Sequence, residues 1–298
     1  MGVSIISIML FHQQWISIPP FNAFHIWGHY GVDIFLFVSG FGLGFSLQKH
    51  SLVEFYKRRF KRLAPLCFFC GICKIIIFLI WKDQLHDLKD ISYLTLFGLD
   101  LWFIQTIVVF YLLAPLIYIL IRRRTYSFLA ILYLLCLAST ISFPEVQNNI
   151  TGSLNRLPAF TLGMAFITKK WSIDKRQLLC GLIFLTIAMT ATALTSKHII
   201  NWGNNLWMYP ILSIALSSIT FAICNLKKYI WNKICTIVES IGGHTLEIYL
   251  WHEFIFGCIW LTLNGSANNY ILLLLAFSAS IFIAYCSYYF ISFFTKSS

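Results

Sequence analysis

Apolar stretches of membrane-spanning length recur along this chain, and they rule out most folds before any motif is read. A helix needs about 20 residues to cross the hydrocarbon core of a bilayer. Ten stretches approach that length: Met1 to Ile18, Gly31 to Leu47, Leu63 to Trp81, Leu101 to Ile121, Ser127 to Phe143, Arg156 to Thr168, Leu178 to Leu194, Leu206 to Cys224, Thr245 to Leu263 and Tyr270 to Phe294. Backbone N–H and C=O groups in lipid must be satisfied within the structure, so these stretches read as helices. With 59% hydrophobic and 11% charged residues and a mean hydropathy of +0.77, the 298-residue chain is too apolar for a water-soluble surface. The expected fold is an all-α integral membrane protein, a single bundle of about ten transmembrane helices over residues 1–298 with no soluble appended domain.

Charge sets the expected orientation, because Lys and Arg accumulate in short cytoplasmic loops. Alternate connections carry Lys49, Lys57, Arg58, Arg59, Lys61 and Arg62; Arg122, Arg123 and Arg124; Lys169, Lys170, Lys175 and Arg176; Lys227, Lys228 and Lys233; and Lys296, which together make 17 of the 22 basic residues. The opposite connections hold only Lys82, Lys89 and Lys197. This pattern predicts a multi-pass cell-membrane protein with both termini cytoplasmic. The net charge of +11 is then mostly a topology signal, and no nucleic-acid partner is expected.

Ionisable residues inside such segments are costly and therefore informative. His12 lies in the first apolar stretch, and Asp33 opens the second after Gly31 and Val32. Two readings are open. The pair could form a dyad in which the carboxylate orients an imidazole that moves protons. Alternatively, His12 bonds a backbone carbonyl while Asp33 caps its helix. The Cys67-x-x-Cys70-x-x-Cys73 spacing occurs in some iron–sulfur proteins, but it falls in an apolar segment with no fourth ligand nearby, so no metal site is expected.

The basic run Arg58-Arg59-Phe60-Lys61-Arg62-Leu63-Ala64-Pro65 sits at the boundary of the third stretch. Topology alone accounts for a cationic loop there. Arg59-x-x-Arg62 also puts two guanidiniums on one helical face, suited to forked hydrogen bonds with phosphates. A nucleotide-bearing donor or the anionic headgroups of membrane lipids would both fit.

Taken in order, the motifs resemble the integral-membrane acyltransferase family three. They are a membrane histidine at His12, then Tyr30-Gly31-Val32-Asp33-Ile34-Phe35-Leu36-Phe37-Val38-Ser39-Gly40-Phe41, then Phe55-Tyr56-Lys57-Arg58-Arg59-Phe60-Lys61-Arg62-Leu63-Ala64-Pro65. Leu101-Trp102-Phe103-Ile104 with Tyr111-Leu112-Leu113-Ala114-Pro115, Asn155-Arg156-Leu157-Pro158-Ala159-Phe160 with Gly163-Met164, and Ser240-Ile241-Gly242 through Glu247-Ile248-Tyr249-Leu250-Trp251-His252 continue the resemblance nearly to the end of the chain.

The resemblance implies a membrane-bound O-acyltransferase. It would move an acyl group, usually acetyl, from cytoplasmic acyl-CoA to a hydroxyl of a cell-surface or lipid-linked glycan, with acyl-CoA as donor substrate and no bound cofactor. His12 matches the family's catalytic histidine and Asp33 the acidic residue that tunes it. Arg58, Arg59 and Arg62 match arginines proposed to engage the CoA phosphates. Arg156 would steady an oxyanion or the acceptor, and His252 matches a further family position in the same acceptor or oxyanion group. The loop with His25, Trp27, His29 and Tyr30 offers candidate sugar contacts.

Two departures qualify the match. The family carries an arginine eleven positions before its histidine, where this chain has Met1, so the resemblance implies an N-terminally truncated or late-starting chain. Met1 to Ile18 would also span only about 27 Å. In the fourth helix, Gln105 stands where many members have glutamate. Two alternatives therefore remain beside the acyltransferase: a multi-pass transporter of glycans or lipid-linked sugars, and a catalytically inactive derivative of the enzyme. The oligomeric state and the acceptor are open.

Overall fold

The structure, a computed structural model, describes residues 1–12, 28, 30–80, 102–142, 154–171, 179, 183, 186, 190, 232–262 and 270–296. All regular structure among the described residues is helical: α1 (Gly2–His12), α2 (Gly31–Lys49), α3 (Leu52–Ile80), α4 (Trp102–Ser142), α5 (Leu157–Lys169), α6 (Asn232–Gly243), α7 (Thr245–Thr262) and α8 (Tyr270–Lys296). Eight helices rather than ten are thus described. The expected seventh and eighth spans, Leu178 to Leu194 and Leu206 to Cys224, lie outside the described residues apart from isolated positions. Gly31–Lys49, Phe103–Cys136 and Ile271–Phe293 are long and apolar enough to cross a membrane, and the chain is a membrane protein.

Two boundaries differ from the sequence reading. The basic run is not a loop: it is wound into the first turns of α3, whose 29 residues include Pro65. The expected fourth and fifth spans are joined in the 41-residue α4, which turns at Arg124, where φ is −143° and ψ 61°. Pro115 lies inside α4 as Pro65 does inside α3. Interior prolines are tolerated in membrane helices because neighbouring groups re-satisfy the freed carbonyl.

The described residues form two compact units. The unit containing Asp33–Phe55 and Thr106–Trp231 is organised by the crossing of α2 and α5. Asp33 meets Arg156, Gly40 meets Phe160, Gly44 meets Met164 and Ile167, and Gln48 donates to the Ile167 carbonyl at 3.4 Å, so the two helices run parallel. The helices touch backbone to backbone. A Cβ on Gly40 would strike the Phe160 carbonyl, and one on Gly163 would strike that of Phe37. Small residues four apart allow this approach where lipid offers no hydrophobic drive to hold helices together. The rings of Phe37 and Phe166, 5.6 Å apart, and of Phe110 and Phe160, 5.0 Å apart, fill the flanks.

This parallel crossing sorts charge by end. Lys49 and Lys169 close α2 and α5, and Lys169 Nζ donates to the Arg122 carbonyl at 3.2 Å, bringing the Arg122–Arg124 turn to the same end. Asp33 and Arg156 lie at the other end. The α5 terminus is finished by Lys170 at φ 53°, whose N–H reaches the Ile167 carbonyl while Trp171 N–H bonds that of Phe166.

The other unit combines Met1–Val32, Tyr56–Gln105 and Asn232–Ser298. Here α7 is the central rod. Thr245 Oγ1 lies 3.9 Å from Met1 Sδ and His252 lies against His12, so α1 runs alongside α7 in the same direction. Ser4 Oγ ties α1 to the start of α2 by donating to the Gly31 carbonyl at 2.6 Å. Helix α8 returns antiparallel: Trp251 Nε1 donates to Ser287 Oγ at 2.8 Å, Phe256 packs on Phe277, and His244 stacks on Tyr285 at 4.0 Å.

The crossing gives a sharp contrast between neighbouring glycines. Gly40→Leu should destabilise the solubilised protein by about 1–3 kcal/mol through forced separation of α2 and α5. Gly42 has open space around its Cα, so Gly42→Ala should be neutral or should stabilise by up to about 1 kcal/mol through helix propensity. Thermal unfolding in detergent distinguishes the two, and equal losses would contradict the close crossing.

Candidate functional site

His12 ends α1, and the groups around it come from α7 and α3. Its Nδ1 lies 3.7 Å from Glu253 Oε1, and its ring meets that of His252 edge to face, with centroids 5.0 Å apart and planes at 89°. That separation is an ion-pair distance rather than a hydrogen bond. His12 keeps partial exposure, whereas His252 is fully buried.

The tautomer of His252 follows from its partners. Nδ1 faces the carbonyl oxygens of Ile248 at 3.1 Å and Tyr249 at 2.8 Å. Both are acceptors, so Nδ1 carries the hydrogen and Nε2 is left as the free position, buried without a hydrogen-bond partner. Packing and backbone bonds thus satisfy only half of the ring. Buried Lys74, on α3, holds its ammonium 5.6 Å from the Phe254 ring centroid and acts electrostatically on Glu253. Two imidazoles and a carboxylate therefore meet in this unit, and the Lys74 ammonium lies near the next residue of α7, Phe254.

Asp33 belongs to the other unit, where its Oδ2 lies 3.4 Å from Arg156 Nη1, with both side chains buried. Asp33 occupies the first turn of α2, where the helix dipole favours a carboxylate, and its charge offsets that of Arg156 at the less favourable N-terminus of α5. Asp33 Oδ1 and Asn155 Oδ1 are buried without hydrogen-bond partners. The dyad read from the sequence joined His12 to Asp33, and these two residues fall in separate units. Within its own unit the structure sets the Glu253 carboxylate beside His12, and within the other it sets Arg156 beside Asp33. Glu253 was legible only as a neighbour of His252, because nothing in the sequence says that the C-terminal end of α1 packs against the middle of α7.

The basic run lines a cavity of about 400 Å³ together with α7 and α8. Arg58, Lys61 and Arg62 contribute from α3 and Glu247 from α7, and α8 adds Tyr288, Ile291 and Ser292. Arg62 also donates to the Gly243 carbonyl at the end of α6, at 3.5 Å. Of the expected set Arg58, Arg59 and Arg62, the cavity wall includes Arg58 and Arg62, one turn apart, while Arg59 is half-buried. Along α7, Glu247 at this cavity and His252 at the His12 cluster are separated by a rise of about 7.5 Å. Tyr30 is buried, while His25, Trp27 and His29 lie outside the described residues.

Comparison with known proteins matches this chain to a family model described as an acyltransferase domain, acyltransferase type 3, over residues 2–292. It is also similar to the O-acetyltransferase OatA of Staphylococcus aureus, in strains NCTC 8325 / PS 47, COL and MRSA252. Each is 27% identical over 303 aligned positions, covering 84% of this chain and 48% of the relative. The chain spans about half the length of these curated relatives. No solved structure matches. The family match takes in α1 with His12, the basic turns of α3, Arg156 and nearly all of α8, and on that coverage the chain belongs to the acyltransferase 3 family.

Proposed function

We propose that this protein is a membrane-bound O-acyltransferase that moves an acetyl group from cytoplasmic acetyl-CoA to a hydroxyl of a cell-surface or lipid-linked glycan. The observation that carries this reading is that α7 contributes both to the His12 cluster, through His252 and Glu253, and to a cation-lined cavity, through Glu247, within one compact unit. The cavity supplies phosphate contacts through Arg58 and Arg62, and the cluster supplies a base. The charge pattern supports a multi-pass arrangement of about ten spans with both termini and the cavity on the cytoplasmic side.

In this mechanism His12 Nδ1 carries its hydrogen toward Glu253, leaving the Nε2 lone pair for the acceptor. The acceptor oxygen attacks the thioester carbonyl carbon as Nε2 takes the hydroxyl proton. A C–O bond forms, the tetrahedral intermediate collapses with cleavage of the C–S bond, and the imidazolium returns the proton to the departing thiolate. Products are the glycan ester and free CoA. Glu253 favours the charged imidazolium formed midway.

His12→Ala should remove ester-linked acetyl groups from the surface glycan, a loss of at least about a hundredfold. Glu253→Gln should lower the rate by roughly tenfold to a hundredfold while leaving the protein folded. Mass spectrometry of glycans from expressing cells reads both, and identical glycans with and without the protein would remove the proposal.

The Asp33–Arg156 pair separates scaffold from chemistry. Arg156→Leu alone strands a buried carboxylate and should cost about 3–5 kcal/mol, whereas Asp33→Leu with Arg156→Leu should recover most of that stability. The double variant should stay inactive if Arg156 contacts the reacting groups. Recovery of both stability and acetylation would reduce the pair to a structural role.

A further inference from the structure

Exposure differs sharply among the residues that line the basic cavity. Arg58, Lys61 and Arg62 are exposed and form its rim, while Glu247 is 4% exposed and Leu66 is also buried. Glu247 Oε2 has no hydrogen-bond partner, and Glu247 forms no ion pair with the rim cations among the described residues. The buried Oε2 of Glu247 is a hydrogen-bond acceptor and, unlike the rim cations, gives a phosphate no favourable contact. The site fits a ligand anionic at one end and bearing an N–H or O–H donor along a narrower arm.

We propose, building on the acyl-CoA reading above, that Glu247 is a specificity-determining residue that accepts a hydrogen bond from an amide N–H of the pantetheine arm. Arg58, Lys61 and Arg62 hold the phosphates at the rim, and the arm passes Glu247 toward the His12 cluster. The cavity volume is within the range of ligand sites and holds the arm and part of the nucleotide rather than a whole dinucleotide-sized molecule. Ser292 and Tyr288 hydroxyls on the wall are further partners for the arm. Glu247 thereby distinguishes a pantetheine thioester from other phosphorylated molecules that the rim alone would accept.

The test is binding by the full chain in phosphatidylcholine nanodiscs, with CoA and with 3′-phosphoadenosine 5′-diphosphate, which has the same nucleotide without the arm. Glu247→Leu should weaken CoA about tenfold and leave the armless nucleotide unchanged. Glu247→Gln, which keeps an acceptor oxygen, should retain more CoA affinity than Glu247→Leu, and Arg62→Ala should weaken both ligands. Equal weakening of both by Glu247→Leu, or no change in either, overturns the assignment of Glu247 while leaving the donor reading intact. Wild-type protein that binds neither molecule overturns the donor reading and this inference together. Adding phosphatidylethanolamine to the nanodiscs should not change CoA affinity. A drop in wild type that is absent in Glu247→Leu would assign the carboxylate to a lipid ammonium and overturn the inference.

Discussion

A charge in hydrocarbon must find a partner, reach water or stay uncharged, and each described polar feature of this molecule answers that constraint in one of these ways. Asp33 and Arg156 neutralise each other at the start of α2 and α5. Lys74 lies over an aromatic face and within electrostatic reach of Glu253. The cations of α3 reach solvent at the rim of the cavity. Among the described residues, the buried atoms without hydrogen-bond partners include Nε2 of His252 and of His244 and Oε2 of Glu247 in one unit, and Oγ of Ser46 and Oδ1 of Asp33 and Asn155 in the other. Where an unsatisfied polar atom costs several kcal/mol, roughly, the atoms of this set that line the His12 cluster and the basic cavity are the ones a substrate would satisfy.

The His12 cluster shows how backbone geometry can prepare a side chain for proton transfer. A histidine on a helix ordinarily has two nitrogens to satisfy and an ambiguous tautomer. On α7 the carbonyls of Ile248 and Tyr249, one turn back, take the hydrogen of His252 Nδ1 and decide the matter locally. The ring is thereby held edge-on to His12 without a dedicated side-chain partner. His12 itself retains partial exposure, which is what a group exchanging protons with a substrate requires.

Much of this was legible in the sequence because hydrophobic length and charge asymmetry are local properties. Gly31 to Leu47, Thr245 to Leu263 and Tyr270 to Phe294 each coincide with a described helix to within a few residues, since nothing in those segments competes with helix formation in lipid. The basic run was read as a boundary because it is charged. Charge does not stop a helix, and Leu52–Ile80 continues through it. The partners were not legible. Glu253, the carboxylate beside His12, comes from 241 positions away, and Arg156 lies 123 positions from Asp33. Those distances depend on which helices cross, and that choice rests on details such as Gly40 and Gly163 meeting opposing carbonyls.

The parallel crossing of α2 and α5 also constrains how the chain is made. Neither helix can meet the other until synthesis has passed residue 167, so the glycine face of α2 must wait, already inserted, through the production of α3 and α4. Contacts so distant along the chain form late and slowly. During that interval Asp33 lies in or near the bilayer without Arg156, the costliest partly assembled state this unit passes through. Early association of α2 with the translocon or with a provisional neighbour would shield it, and premature pairing with a wrong small-residue face is the misassembly to which this architecture is most exposed.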